Sequence, residues 1–215
     1  MAELSSSQRP LRGALVGFDP RNPLAGLVVF QYNPDELSRS LSPRTMPGGE
    51  DDANSPIVGA PVEVISLTAE IDAADRTGPL SAGDVHGPLA ALEMLLYPRT
   101  SAVLANEALA AAGTIELLPV DPPLTLLVWG VTRVLPVRLT AFTVTEQAFD
   151  AALNPVRAQV QLSLRVLSYS DLPVTDAGHH IFLAHQVAKE ALATRSAVAG
   201  VAAPVIAAAM RAVPS

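Results

Sequence analysis

The 215-residue sequence predicts a mainly β protein of the α+β class: an antiparallel β-barrel or sandwich with one short helix and a helical C-terminal arm. Three observations predict this class. Short apolar runs recur between prolines, glycines and asparagines, which is the pattern of strands joined by turns. Residues 156–169 alternate between apolar and polar side chains over most of their length, which is typical of a strand with one buried face. After residue 171 the sequence becomes alanine-rich and favours a helix.

The N-terminal part predicts a hairpin followed by a corner. Residues 13–18 and 27–32 are short, β-branched runs separated by a turn cluster rich in proline. Asn33 and Pro34 end the second run, because proline has no N–H for a β-ladder and pushes the residue before it into extended geometry. The chain then resumes as an extended segment at residues 37–41.

The middle of the chain predicts two long loops, one strand and one helix. Residues 42–60 and 73–87 are rich in proline, glycine and acidic residues, and we expect them to be mobile loops. Residues 61–71 between them alternate like a strand with one buried face. Residues 88–97 carry leucines at helical spacing, and Pro98 ends this predicted short helix.

Three further strands are expected at residues 124–129, 131–144 and 156–169. The last has about 14 residues against a usual 5–6, so it must bend, join a barrel wall or extend past its own domain. Trp129 is the only tryptophan, and we expect it to anchor the core. Gly130 beside it predicts a bulge or a close approach of two backbones.

Two regions follow from these elements. Residues 1–172 form the predicted β domain, and residues 173–215 form the alanine-rich helical arm, with its helix expected over 182–213. Within the arm, residues 196–210 are apolar, but a membrane-spanning helix needs about 20 such residues. The N-terminus has no apolar run of signal-peptide length, so we expect synthesis and folding in the cytoplasm.

Charge and composition argue against several functions. The chain has 14 basic and 21 acidic side chains and a net charge of −7, which disfavours nucleic acids and anionic membranes as partners. It has no cysteine, and its four histidines lack the spacing of metal ligands. No nucleophile elbow, phosphate loop or dinucleotide motif occurs. We therefore expect no enzyme activity, no cofactor, no metal and no membrane insertion.

Three segments resemble, in order and spacing, the tube-type domain of contractile injection system proteins. They read FQYNPDELSRS, DPPLTLLVWG and FTVTEQAFDAALNPVRAQVQLSLRVLS. The matching residues are Phe30, Tyr32, Asn33, Pro34, Pro122, Pro123, Trp129, Gly130, Phe149, Pro155, Arg157 and Ala158. One departure is the turn before Pro155, where the family has glycine and this chain does not. Asn154 is the residue there that we expect to tolerate positive φ.

The resemblance covers about residues 11–170 and implies a tail-tube-like fold. It also implies a structural role as a hub adaptor: a hexameric ring that connects or initiates the inner tube at the baseplate and spike of a phage-tail-like particle. The implied partners are sister subunits, inner-tube proteins, and spike and baseplate proteins. Many members carry a LysM module, and this chain has none, so peptidoglycan binding does not carry over. The implied location is the cytoplasm, within an assembled particle that lysis releases.

Four polar side chains on the long strand are candidates for contacts between subunits: Arg157, Gln159, Gln161 and Arg165. The two arginines fit either plain solvation or ion pairs with a neighbouring chain, for which a planar guanidinium is well suited. Two other functions stay open at this point. One is a ring that terminates or caps the tube at its distal end. The other is a monomeric β module that binds a ligand or a cell wall, although the 4% aromatic content disfavours sugar stacking.

Overall fold

The computed structural model describes residues 11–18, 26–45, 56–74, 85–98, 100–113 and 124–199. They form seven strands and three helices. The predicted turn before residue 24, Pro122 and Pro123, most of both predicted loops and the arm beyond residue 199 lie outside this part of the chain. In chain order the elements are β1 (Ala14–Phe18), β2 (Gly26–Val29), β3 (Leu37–Ser42), β4 (Val62–Asp72), α1 (His86–Glu93), α2 (Thr100–Ala111), β5 (Leu124–Trp129), β6 (Arg133–Phe149), β7 (Pro155–Val166) and α3 (Ala177–Ala199).

All seven strands belong to one antiparallel sheet in the order β2-β1-β5-β6-β7-β4-β3. The mainly β, α+β prediction is therefore confirmed. A bulge at Thr140 interrupts the β6–β7 ladder, since Leu139 pairs with Leu164 and the next pair is Ala141 with Ser163. Among the described residues no strand pair joins β2 to β3, so the sheet is not closed, and the predicted barrel or sandwich is not confirmed.

One face of the sheet carries the hydrophobic core. On β7, alternate residues from Ala158 to Val166 are buried, and on β4 the buried set includes Ile65 and Leu67. Fully burying one leucine contributes about 1.5–3 kcal/mol, so this alternation fixes which face turns inward. The helix α1 packs on the same core through Leu89 and Leu92.

The sheet curls enough to bring its two halves into contact. The side-chain amide of Gln31, just after β2, donates to the backbone O of Asp72 at 2.8 Å and accepts from its N–H at 3.0 Å. Asp72 ends β4, which lies five places from β2 in the sheet order. A single side chain thus bridges two strands that do not pair.

The helix predictions were partly wrong. The predicted helix at residues 88–97 exists as α1, which begins at His86 and ends at Glu93. The helix α2 was not predicted, because it lacks a one-sided apolar stripe, and none of its residues is buried. Its alanines and leucines nevertheless favour a helix. The expectation of one short helix before the arm is therefore corrected to two.

The first half of the helix α3 packs on the sheet. It begins at Ala177, five residues earlier than expected, and Asp176 accepts the Gly178 N–H at 2.7 Å as its N-terminal cap. The buried Phe182 packs edge-to-face on Tyr169, with ring centroids 5.8 Å apart. Residues 191–196, in contrast, are all exposed. The arm therefore starts inside the core and then projects from it.

A charged cluster joins α3 to the edge of the sheet. Glu63 of β4 is buried and pairs with the Arg39 guanidinium at 2.6 Å and with the Lys189 ammonium of α3 at 3.6 Å. His185 lies one turn before Lys189, and its buried Nδ1 has no hydrogen-bond partner among the described residues. Burial lowers the pKa of His185, and the charge of Lys189 lowers it further.

Candidate subunit interface

The strand β6 has a long unpaired edge. Its ladder with β5 runs only from Arg133 to Val137, whereas its ladder with β7 continues to Phe149. Within the described chain, residues 138–149 therefore have a partner on one side only. Among the described strands, β3 lies at the end of the sheet and pairs on one side only, with β4. Each free edge presents unpaired N–H and C=O groups to which another strand can add.

Between these two edges, β6, β7, β4 and β3 share an outer face opposite the core. Because side chains alternate across a strand, the residues between the buried ones point to this face. Most are hydroxyl or amide side chains rather than charged ones. They include Ser38, Ser40, Ser66, Thr68, Glu70, Thr143, Thr145, Gln159, Gln161 and Ser163.

Gln159 and Gln161 lie at the centre of this face. Gln159 is opposite Glu70 on β4, and Gln161 is opposite Thr68. Both line a groove of about 830 Å³ that the segment 32–36 walls on one side. The sequence placed these two glutamines on the polar face correctly, but the groove depends on a segment that is more than 120 residues away along the chain. Their contact with a neighbouring subunit stays a prediction.

Arg157 has a partner within its own chain. Its Nε and Nη2 donate to Asp72 at 2.9 and 2.6 Å, and just over half of its side chain is exposed. The Ala74 N–H and the Arg157 guanidinium both lower the pKa of Asp72. One of the two roles expected for Arg157 was an ion pair with a neighbouring chain, but the ion pair that it makes here is with Asp72 of its own chain. Its exposed part is still accessible to a neighbour.

Arg165 belongs to a cluster around Asp171, which the sequence did not reveal. The Asp171 Oδ1 accepts from both Arg165 and Arg44 at 2.9 Å, and Oδ2 accepts from the N–H and hydroxyl of Ser168 at 3.0 and 2.7 Å. Partial burial alone would raise the pKa of Asp171. The hydrogen bonds from Ser168 and the charge of Arg44 outweigh it and lower the pKa to about 2. Arg165 thus fastens the end of β7.

Asn33 fastens the chain before β1. Its Oδ1 accepts the Gly13 N–H at 2.9 Å, and its Nδ2 donates to the Leu11 carbonyl at 2.8 Å. Pro34 follows it, and the chain then crosses from β2 at one edge of the sheet to β3 at the other. The Asn-Pro pair therefore occupies a corner, and its amide satisfies backbone groups that no strand pairs.

Trp129 packs with its motif partner Phe30. Their ring centroids are 6.3 Å apart, with the rings edge-to-face, and Trp129 is half-buried at the margin of the core. Both rings lie against Gly13, where an added Cβ would come within 2.9 Å of each. The expectation for Gly130 was wrong: it has φ +72 in the β5–β6 turn, and nothing lies within 4 Å of a Cβ there. It is a turn glycine, because only glycine adopts positive φ without cost.

The β6–β7 turn explains the missing glycine. The Asp150 carboxylate accepts hydrogen bonds from the Ala152 N–H and from both the N–H and the side-chain amide of Asn154. These bonds lower the pKa of Asp150, and those from Asn154 contribute most. The positive φ falls on Leu153, at +64, and not on Asn154 as expected. Leu153 stands two residues before Pro155, at the position where the family that the sequence resembles has glycine. Its side chain is 80% exposed.

In the ranges that the structure covers, no three histidine or acidic side chains come close enough to hold a metal ion. In those same ranges no helix combines the length and the apolar character needed to cross a membrane. Compared with known proteins, the chain matches no protein-family model, and no curated protein matches it.

Proposed function

We propose that the protein is a structural subunit that assembles into a six-fold ring, connecting or initiating the inner tube of a contractile injection particle at its spike and baseplate. The sequence motifs supply the kind of particle and the six-fold symmetry. The observation that carries the proposal is the four-strand section β6-β7-β4-β3, which has a free edge on each side and one polar face.

The strand directions suit head-to-tail assembly. Three antiparallel pairs separate β6 from β3, so these two strands run in opposite directions. The free edge of β3 in one copy can therefore pair antiparallel with the free edge of β6 in the next copy of the same orientation. Such a contact joins two different surfaces and closes into a ring when the rotation between copies allows it. Closure leaves neither edge exposed.

In this assembly the polar faces of all copies lie on the same side of a continuous wall. A face made mostly of hydroxyl and amide groups stays hydrated. It therefore suits the surface of a passage. The opposite face keeps the core and α1, as in the single subunit.

The test blocks the β6 edge without damaging the β6–β7 ladder. The Val156 carbonyl of β7 accepts the N–H of Ala73, which directly follows β4. The backbone N–H and C=O groups of even-numbered β7 residues therefore point to β4, and those of odd-numbered residues point to β6. Glu146 stands opposite the even-numbered Ala158, so its N–H points to the free edge. Glu146→Pro removes this one donor, and an edge strand tolerates proline at such a position. Glu146→Ala is the matched control because it keeps the N–H.

Particles made with Glu146→Pro should lose tubes attached to baseplates, as seen by electron microscopy, whereas those made with Glu146→Ala should assemble. Thermal unfolding of both purified variants should stay within about 3 °C of the parent, which separates lost assembly from lost folding. Full assembly of the proline variant would contradict the proposed contact. Long, uncapped tubes in particles that lack the protein would instead place it at the distal end as a terminator.

A further inference from the structure

The polar outer face carries an arginine cluster at one end. Arg165 of β7 lies there, and Arg138 of β6 is directly opposite it, so both side chains point to this face. Arg44 reaches the same place, because it and Arg165 both donate to the Asp171 Oδ1 at 2.9 Å. Three guanidinium groups thus meet one carboxylate, which leaves a formal charge of +2 in a chain whose net charge is −7.

Arg138 is the member of this cluster that lacks a partner among the described residues. Its side chain is exposed, and no described acidic side chain forms an ion pair with it. Like charges directly opposite each other destabilise a ladder, so Arg138 and Arg165 repel unless a further anion approaches them. A guanidinium presents a planar fork of N–H groups that fits a carboxylate. The cluster can therefore bind carboxylates in addition to that of Asp171.

The other end of the same face is acidic. The groove of about 830 Å³ is lined by three carboxylates, from Asp35, Glu36 and Glu70, and by no basic side chain. None of these three forms an ion pair with another described residue. Arg157, also on this face, is already paired with Asp72. This end therefore keeps an excess of negative charge.

The two ends are too far apart to neutralise each other. Glu70 is opposite Gln159, and Arg165 stands six residues further along β7, which is about 20 Å in a strand. Exposed charges are largely screened beyond about 8 Å at physiological salt. The outward side chains between the two ends on β7, Gln161 and Ser163, carry no charge. Each end is therefore left to attract a group of opposite charge on another molecule.

We propose that these two ends bind each other between copies, so that the arginine cluster of one molecule contacts the acidic groove of the next. Each copy carries both surfaces on one face, at opposite ends of the strands. Two copies placed end to end in the same orientation therefore bring opposite charges together. Arg138 is the side chain that enters the groove, because it is exposed and has no described carboxylate partner in its own chain.

This contact is distinct from the proposed contact within a ring. It joins two different surfaces and can repeat along the strand direction. The ring contact runs across the strands and uses the backbone of the β3 and β6 edges. In the proposed assembly, the contact between the charged ends would join one ring to the next.

The test follows the mass of the purified full chain by light scattering as its concentration rises. At about 0.1 M salt the mass should rise with concentration, and the rise should be lost at about 1 M, where the screening length is only about 3 Å. Arg138→Glu should weaken the association about tenfold. Arg195→Glu is the matched control, because it makes the same charge change at an exposed position of α3 outside the cluster. It should associate like the parent.

A mixing experiment assigns the contact to these two ends. Arg138→Glu and Glu70→Arg should each associate weakly alone, because each keeps only one end intact. Mixed in equal amounts, they should form pairs as readily as the parent does, since one supplies an intact groove and the other an intact cluster. Thermal unfolding of each variant within about 3 °C of the parent shows that it is folded.

Four results would overturn the proposal: a mass that does not change with concentration, association that does not depend on salt, equal weakening by Arg195→Glu, or a mixture that associates no better than its components. Glu146→Pro, which blocks the β6 edge, should keep the salt-dependent association. Failure of ring assembly and failure of this contact are therefore distinguishable.

Discussion

Replacing Leu153 by asparagine should stabilise the protein. Leu153 has φ +64, a left-handed conformation that costs a residue with a Cβ about 1–2 kcal/mol. Asparagine reaches this region more readily, because its short polar side chain forms local hydrogen bonds. The leucine side chain is 80% exposed, so its removal loses little burial. We expect a net gain of about 0.5–1 kcal/mol.

Glycine at the same position tests the origin of this gain. It removes the strain entirely, but it also makes the unfolded chain more flexible, which costs about 0.4–1 kcal/mol. Leu153→Gly should therefore be about as stable as the asparagine variant or slightly less stable. Ala152→Asn is the control, because Ala152 has no positive φ, and a surface change of this kind stays within about 0.5 kcal/mol.

Thermal unfolding measures the effect directly. For a chain of this size, 1 kcal/mol shifts the melting temperature by about 2–4 °C, so both Leu153 variants should melt a few degrees higher. Melting below the parent would refute the reasoning. It would mean that the leucine side chain makes a contact that stabilises the subunit, or that the turn does not hold this residue in the left-handed region.

Three other predictions concern packing and pH. Gly13→Ala should destabilise the protein by about 1–3 kcal/mol in denaturant unfolding, because its Cβ would overlap the Phe30 and Trp129 rings; an unchanged midpoint would show that the rings move aside freely. The carboxylate of Asp171 has its pKa lowered to about 2, so the stability that it contributes is present above pH 4 and is lost as pH falls from about 4 to 2. Because Asp171 is partly exposed, we expect this loss to be only about 1 kcal/mol, and Asp171→Asn should abolish this part of the acid dependence. The pKa of His185 is also lowered, so its neutral form stabilises the fold above pH 6.5, and that contribution is lost as pH falls below 6.5. The hydrogen-exchange rate of α3, corrected for intrinsic rates, should therefore rise as pH falls through this range. The rise should be smaller in His185→Gln. Identical pH profiles for the two proteins would exclude the histidine as the cause.

Local patterns predicted the strands well, because the side-chain period of a strand is visible within a few residues. The alternation on β7 gave both its existence and its buried face, and β4 was recovered in the same way. The start of α3 at Ala177 was missed, although its cap at Asp176 depends on a bond only two residues along the chain. The helix α2 was not predicted because its faces are alike in hydrophobicity, and none of its residues is buried.

What could not be predicted depends on pairs far apart in sequence. Arg44 and Asp171 meet although 127 residues separate them, and neither looks unusual alone. The order of the strands in the sheet also depends on long-range pairing. The sequence therefore could not show which strand leaves part of its neighbour unpaired. In the described chain β5 begins at Leu124, and its ladder with β6 reaches only to Val137. The sequence could therefore show that the glutamines of β7 lie on the polar face of a strand. It could not show that this face lies between the β3 and β6 edges of the sheet.

The composition of the two free edges favours their use in assembly. Monomeric proteins protect long edge strands with charges, prolines or short length, because an open edge pairs with other chains. Residues 138–149 of β6 contain two charged side chains and no proline, and β3 contains one charged side chain and no proline. The β6 edge also carries a bulge at Thr140, but two edges with so few charges and no proline, running in opposite directions on one section of sheet, suit the proposed contact between neighbouring copies. In the proposed assembly Arg157 can be paired internally and still lie beside the interface, since the ladder and not the ion pair would hold adjacent copies together.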